Sequence, residues 1–201
     1  FSHNNEYREN TFSKNGAGVA VMYTTGVKMI NNTFKHNWGS SSYGLLLKDI
    51  RDSEVRNNHF VGNSVGIFME GSSRIQFTEN EFKQNGYAIR LQASCDDNTF
   101  SKNNFSANTF DLATNGTLVL NKVEGNYWDK YEGYDLNRDN VGDVPYHPLS
   151  LFSVIVERMP SAMLLFRSFM ITLLDKSEKI LPSLTPENFI DNKPFMKPLA
   201  I

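Results

Sequence analysis

Val55-Arg-Asn-Asn-His-Phe60 and Phe77-Thr-Glu-Asn-Glu-Phe82 share one frame: an apolar residue, an asparagine three positions on, an aromatic five positions on. Working outward, the frame recurs as Tyr7-Asn10-Phe12, Met29-Asn32-Phe34, Phe100-Asn103-Phe105 and Val123-Asn126-Trp128. Successive copies are 22, 26, 22, 23 and 23 residues apart. A second asparagine follows most of the aromatics by three residues, at Asn15, Asn37, Asn63, Asn85 and Asn108. A fixed period in the twenties marks a stacked, quasi-one-dimensional architecture.

The content of each period decides which solenoid. A leucine-rich repeat needs a leucine-asparagine-leucine frame and a helical half, and neither occurs. Short alternating runs do: Val19 and Val21, Leu45 and Leu47, Ile67 and Met69, Ile89 and Leu91 hold equivalent places. Alternation with period two means half-buried strands. Three such strands joined by tight turns make one coil of a parallel β-helix. The expected fold is therefore an all-β solenoid, a right-handed parallel β-helix of about six coils of 22–26 residues, with an α-helical tail. Phe12, Phe34, Phe60, Phe82 and Phe105 should stack inside. Asn10, Asn32, Asn58, Asn80 and Asn103 should form a hydrogen-bonded column at a turn. The second full period carries four extra residues around Trp38-Gly-Ser-Ser-Ser-Tyr43, and a long turn with two aromatics should protrude.

Composition excludes some functions. With 20 Lys+Arg against 22 Asp+Glu, the chain lacks the basic surplus of a phosphate-driven nucleic-acid binder. One cysteine, Cys95, makes neither an internal disulfide nor a Cys-rich zinc site. Phe1-Ser-His-Asn4 reads like Phe12-Ser-Lys-Asn15, so the chain is expected to start inside a repeat, with further repeats upstream.

Between the buried positions of each Gly-led strand lie outward ones: Ala20 and Met22, Leu46 and Lys48, Phe68 and Glu70, Arg90 and Gln92. Stacking aligns Ala20, Leu46 and Phe68 as an exposed apolar stripe, a candidate docking surface. The same face bears on catalysis. Glycoside hydrolysis needs two flanking carboxylates, and the face offers one, Glu70, between Lys48 and Arg90. The histidines His3, His36, His59 and His147 fall in different coil positions and show no metal-pair spacing.

Three segments follow: residues 1–128 of repeats, residues 129–148 as a Tyr/Asp-rich cap and turn, and residues 149–201 as a helical tail. The cap should cover the open edge of the last coil. Within it, Asp135, Asn137, Asp139 and Asp143 alternate like the first half of a calcium loop. Asn140 stands where an EF-hand has glycine, and Tyr146 where it has glutamate. A side-chain-bonded turn is the alternative. In the tail, Ser150 should cap a helix to about Arg158, and Pro160 should open a second helix to about Leu181. Thr185-Pro-Glu187 could open a third, and the Pro-rich end reads as extended. The run Ala162–Leu174 is too short for a membrane span and too apolar for a solvated helix. Two readings fit it, a helical cap folded against the rod or a segment that binds a membrane protein or lies at the bilayer interface, and both can hold at once; Phe166, Phe169, Met170 and Leu173 are its candidate partner-binding residues. Met159, Met163 and Met170, with His147, are a candidate copper set, because thioether sulfur suits copper(I).

The repeats resemble the carbohydrate-binding and sugar-hydrolase (CASH) superfamily. Asn126-Tyr-Trp-Asp-x-Tyr-x-Gly-Tyr-Asp135, continuing through Gly142-Asp-Val-Pro-Tyr146, narrows this. So do Met163-Leu-Leu-Phe-Arg-Ser-Phe169, Leu181-Pro-Ser-Leu-Thr-Pro186 and Lys193-Pro-Phe-Met-Lys-Pro198. Together they resemble the C-terminal portion of the NosD family, periplasmic proteins in the maturation of nitrous oxide reductase. The resemblance implies a non-enzymatic periplasmic protein working beside an ABC permease, its ATPase and a copper-binding lipoprotein to supply copper in transit. It implies no catalytic residues and carries over no ligand motif. The alternative is a polysaccharide-binding or polysaccharide-cleaving β-helix. The single outer carboxylate weighs against cleavage, and the apolar tail weighs toward the transporter reading.

Overall fold

The computed structural model describes residues 2–92, 94–116, 120–166, 168–180 and 189–201. It is a parallel β-helix with three faces. The third face is a sheet of six strands: Thr11–Ser13, Thr33–Lys35, His59–Val61, Glu81–Lys83, Asn104–Ser106 and Tyr127–Trp128. The first face holds Ala17–Thr25, the start of Tyr43–Arg56, Val65–Glu70, Tyr87–Leu91 and Phe110–Thr114. The second face runs from Glu6–Arg8 to Lys122–Val123. Tyr43–Arg56 is long enough to turn the corner between them, so the two faces join in one sheet of ten strands.

Register follows the sequence period. Phe34 pairs with Phe60, Phe60 with Phe82, and Phe82 with Phe105. Their rings stack parallel at 4.8–5.0 Å between centroids. Phe12 begins the column and Trp128 ends it, 4.1 Å from Phe105. A second stack joins Phe77 and Phe100 at 4.7 Å.

Buried asparagines hold the turns. The backbone N–H of each of Asn10, Asn32, Asn58, Asn80 and Asn103 donates to the Oδ1 of the asparagine one coil on, at 2.9–3.0 Å. Nδ2 donates to the same oxygen, and in the inner rungs also to a carbonyl of the coil before. Asn15, Asn37, Asn63, Asn85 and Asn108 make a parallel column at the next corner. The residue before each rung is left-handed: Asn31, Asn57, Glu79 and Lys102 have φ of 53–56°, and Gly125 has 71°. The strain of those corners is offset by rungs in which each of these asparagine N–H groups finds an acceptor.

The cap is more elaborate than a Tyr-rich turn. Tyr146 packs on Trp128 with ring centroids 5.4 Å apart, and Tyr131 donates its hydroxyl to the Val144 carbonyl at 2.7 Å. The chain's end returns to complete it. Asp191 exchanges backbone hydrogen bonds with Tyr146, and Phe195 donates its N–H to the Asn126 carbonyl. Phe189 is buried in the rod's core.

In the tail, α1 (Leu151–Arg158) is capped by Ser150, whose hydroxyl accepts from the Ser153 N–H at 3.1 Å. The expected second helix is instead two pieces. A 3-10 turn spans Pro160–Leu165, and α2 spans Phe169–Ile180. Phe166 leaves helical geometry (φ −53°, ψ 133°) and packs against the Phe152–Phe110 pair, 6.2 and 6.4 Å from their ring centroids. Ser168 then restarts the helix, its hydroxyl accepting from the Ile171 N–H. Thr185-Pro-Glu187 and the whole of Leu181–Pro186 lie outside the described residues. No described helix is long and apolar enough to cross a membrane.

Candidate functional site

Two surfaces hold the residues that can do chemistry or make contacts. The first is the outer side of the first face. Ala20 pairs with Leu46, Leu46 with Phe68, Phe68 with Arg90, and Arg90 with Ala113. The aligned stripe is thus present. Ala20 is exposed, Leu46 and Phe68 are half-buried, and Ala113 is buried. Tyr43 lies within its strand rather than in the protruding turn, with its ring 5.0 Å from Phe68. Trp38 does protrude, at 62% exposure.

Arg90 joins rod to tail. Its guanidinium meets the Glu157 carboxylate of α1 with two N···O contacts of 2.8 Å. It also lies over the Phe68 and Tyr87 rings, 5.8 and 5.7 Å from their centroids. Glu70 accepts from Lys48 at 3.1 Å. That contact raises the lysine's pKa. Glu70 is thus held in an ion pair with a lysine, and Glu157 in one with Arg90.

The second surface is the tail. Phe152, Val156, Ala162 and Ile171 pack on Phe110 and bind the tail to the last coil of the first face. That uses only one side. Leu164 is 90% exposed, Phe169 81%, Met170 64%, Leu165 52% and Leu173 49%. Phe166 is exposed on its outer edge. Apolar residues on more than half a helix's circumference exceed what one packing surface can cover.

The candidate copper donors lie on this tail. Met159 follows α1, Met163 is in the 3-10 turn, and Met170 is in α2, all exposed. His147 precedes α1 and is half-buried. Cys95 is buried in the rod, and burial pushes its thiol up, away from the thiolate a metal needs. His59 faces Glu81 at 3.1 Å, and His3 faces Thr24 and Thr25, so the rod's imidazoles are dispersed. Among the described residues no group of three or more His, Cys, Asp or Glu could hold a metal ion.

The Asp-rich turn binds itself. Asp135 accepts from the N–H groups of Arg138, Asp139 and Asn140, Asp139 from Val141, Asn137 from Asp139, and Asp143 from Leu136. The oxygens that alternate in sequence are aimed at backbone amides, the geometry of an Asx-bonded turn.

A carboxylate that sequence spacing did not single out is Asp191. Wholly buried, it accepts from the N–H groups of Gly125 and Asn126 at 2.9 Å, from Asn126 Nδ2 at 3.1 Å and from Trp128 Nε1 at 3.0 Å. Its sequence carries no clear signal: Glu187, Asn188, Asn192 and Lys193 around Phe189-Ile-Asp191 are polar as well.

Comparison with known proteins places the rod. The model of the NosD family, described as periplasmic copper-binding protein, matches residues 1–133. This chain belongs to the NosD family. A relative from Stutzerimonas stutzeri, named "Probable ABC transporter binding protein NosD", is 25% identical over 167 residues, covering 79% of this chain and 37% of the relative. A protein of the same name from Pseudomonas aeruginosa is 26% identical over 173 residues, covering 78% of this chain and 40% of that protein. The chain therefore spans less than half the length of these NosD relatives.

Proposed function

We propose that this chain is a non-catalytic periplasmic accessory module that docks, through the exposed side of its tail, on the permease of an ABC transporter whose ATPase lies across the membrane. In this reading it serves copper-site assembly of nitrous oxide reductase, receiving copper in transit beside a copper-binding lipoprotein. The observation that carries it is the exposed cluster of Leu164, Leu165, Phe169, Met170 and Leu173 on a tail whose other side is already packed on the rod. Each such side chain left in water forgoes ~1.5–3 kcal/mol of burial, and an apolar partner surface recovers it. The names of the relatives, which speak of ABC transporter binding, agree in kind. Met159, Met163 and Met170, with His147, are the donors that would touch copper(I) at that surface. Asp135, Asn137, Asp139 and Asp143 would take a hard cation such as calcium only by giving up their amide partners. The rod's Ala20–Leu46–Phe68 stripe is a second docking surface, for a soluble partner such as the lipoprotein or the reductase.

The test is complementation. In cells lacking their own copy, Phe169→Glu in this chain should lower the copper content of nitrous oxide reductase, while protein level and fold stay unchanged. Reductase carrying its full copper complement in that strain would contradict the reading.

A further inference from the structure

A pocket of about 300 Å³ opens on the outer side of the second face, at the seam where the chain's end meets the last coils. That volume lies at the lower limit of small-molecule sites, ~300–1,000 Å³. The pocket is on a different face from the apolar stripe, and the tail's docking makes no use of it. We propose that this pocket binds a phosphomonoester with a compact apolar body.

The backbone fixes the seam from both sides. Strand register sets Thr99 beside Lys122. The Lys102 N–H donates to the Gly125 carbonyl at 2.7 Å, which brings the next corner alongside. The opposite wall comes from segments remote in sequence. Val141 and Phe195 share an antiparallel bridge, and the Gly142 N–H donates to the Pro194 carbonyl at 2.7 Å. Asp191 Oδ1 accepts from the Gly125 N–H at 2.9 Å and from the Lys193 N–H at 3.1 Å, so the buried carboxylate that closes the ladder also seats Lys193 at the pocket.

Charge decides the sign of the ligand. Lys102, Lys122 and Lys193 line the pocket against one acid, Glu124. Glu124 bridges two of them, with one oxygen 2.9 Å from Lys193 Nζ and the other 3.0 Å from Lys122 Nζ. Lys193 and Lys122 hold its carboxyl below the ordinary range, so it stays ionised at neutral pH. Three ammonium groups against one carboxylate leave two positive charges, which match the −1.5 to −2 or so of a phosphomonoester at pH 7. Each ammonium carries three donors, and Glu124 occupies one on each of its two lysines. The donors left over, with the Thr99 and Ser101 hydroxyls, suit the three acceptor oxygens of a phosphate. Half-buried Phe195 and Val141, with the lysine stems, make the rest of the wall apolar. That wall favours an ester over free phosphate.

Calorimetric titration of the whole chain at low ionic strength tests this with phenyl phosphate, inorganic phosphate and phenol as probes. Phenyl phosphate should saturate one site, with half-saturation at roughly 1 mM or below, inorganic phosphate should bind several-fold more weakly, and phenol should not bind. Lys102→Gln and Lys193→Gln should each weaken phenyl phosphate about threefold, and the double variant about tenfold. Added salt should weaken it as well. Lys83→Gln, at an exposed lysine of the third face, and Phe169→Glu, in the tail, should leave it unchanged. Melting temperatures should stay at the wild-type value, since Lys102 and Lys193 are exposed. No saturable binding, equal affinity for inorganic phosphate or phenol, or a loss in Lys83→Gln as large as in the pocket variants would each overturn the proposal.

Discussion

Asp191 stands to Asn126 as each ladder asparagine stands to the one a coil before it. The Asn126 N–H and Nδ2 donate to Asp191 Oδ2 at 2.9 and 3.1 Å, the contacts that Asn103 makes with Asn126. A carboxylate accepts but does not donate, so it closes a ladder that an asparagine would continue. The second column ends differently, on a contact within one coil. Asn108 Nδ2 donates to Asp111 at 3.2 Å, and Lys130 meets Asp111 at 3.1 Å.

Removing the Asp191 carboxylate strands several buried donors at ~1–3 kcal/mol each. Asp191→Ala should therefore destabilise the chain by about 3 kcal/mol or more. Hydrogen exchange should accelerate first at Asn126, Trp128 and residues 189–201. A variant whose melting temperature and exchange matched wild type would remove Asp191 from its role as the closing rung.

The aromatic stack makes a separate demand. Phe60 lies between Phe34 and Phe82 with centroids at 4.8 and 5.0 Å and no exposed area. Phe60→Ala should cost ~3–5 kcal/mol, since neighbours locked in register cannot collapse into the space. Phe60→Leu should cost clearly less. Denaturant titration measures both, and equal costs would contradict a cavity origin.

Asp111 gives the pH dependence. Burial pushes its carboxyl above the ordinary range, and Lys130 and Asn108 only partly pull it back. The folded state then holds the proton more tightly than the unfolded one. Stability must fall as pH rises from the ordinary carboxylate value, ~3.9, through the raised folded value. Asp111→Asn removes that charge, while Lys130 keeps its bonds to the Asn108 and Thr109 carbonyls. Melts over this window should show a flatter pH slope for the variant than for wild type. Identical slopes would place the titration elsewhere.

The rod was legible because a parallel coil repeats one local problem, and Phe34, Phe60 and Phe82 solve it identically one period apart. The closure was not. Asp191 lies 65 residues from Asn126 and Glu157 lies 67 from Arg90, in segments with no period to set their register. The break at Phe166 escaped for a related reason. Ala162–Leu174 reads as one helical run, but Phe166 turns onto Phe152 and Phe110, contacts that no local pattern announces. The Asp135–Asp143 turn kept both of its readings in sequence because a cation and a backbone amide ask for the same oxygens.

The return segment also decides how the tail can be tested. Cutting the chain after His147 would delete Asp191, Phe189 and Phe195 along with the helices, and so uncap the rod. Substitution of exposed side chains avoids this. The direct measurement is the affinity of the chain for the detergent-solubilised ABC permease complex, wild type against Phe169→Glu/Leu173→Glu. Loss of binding with an unchanged melting temperature is the predicted result. Binding at wild-type affinity would contradict docking through the tail.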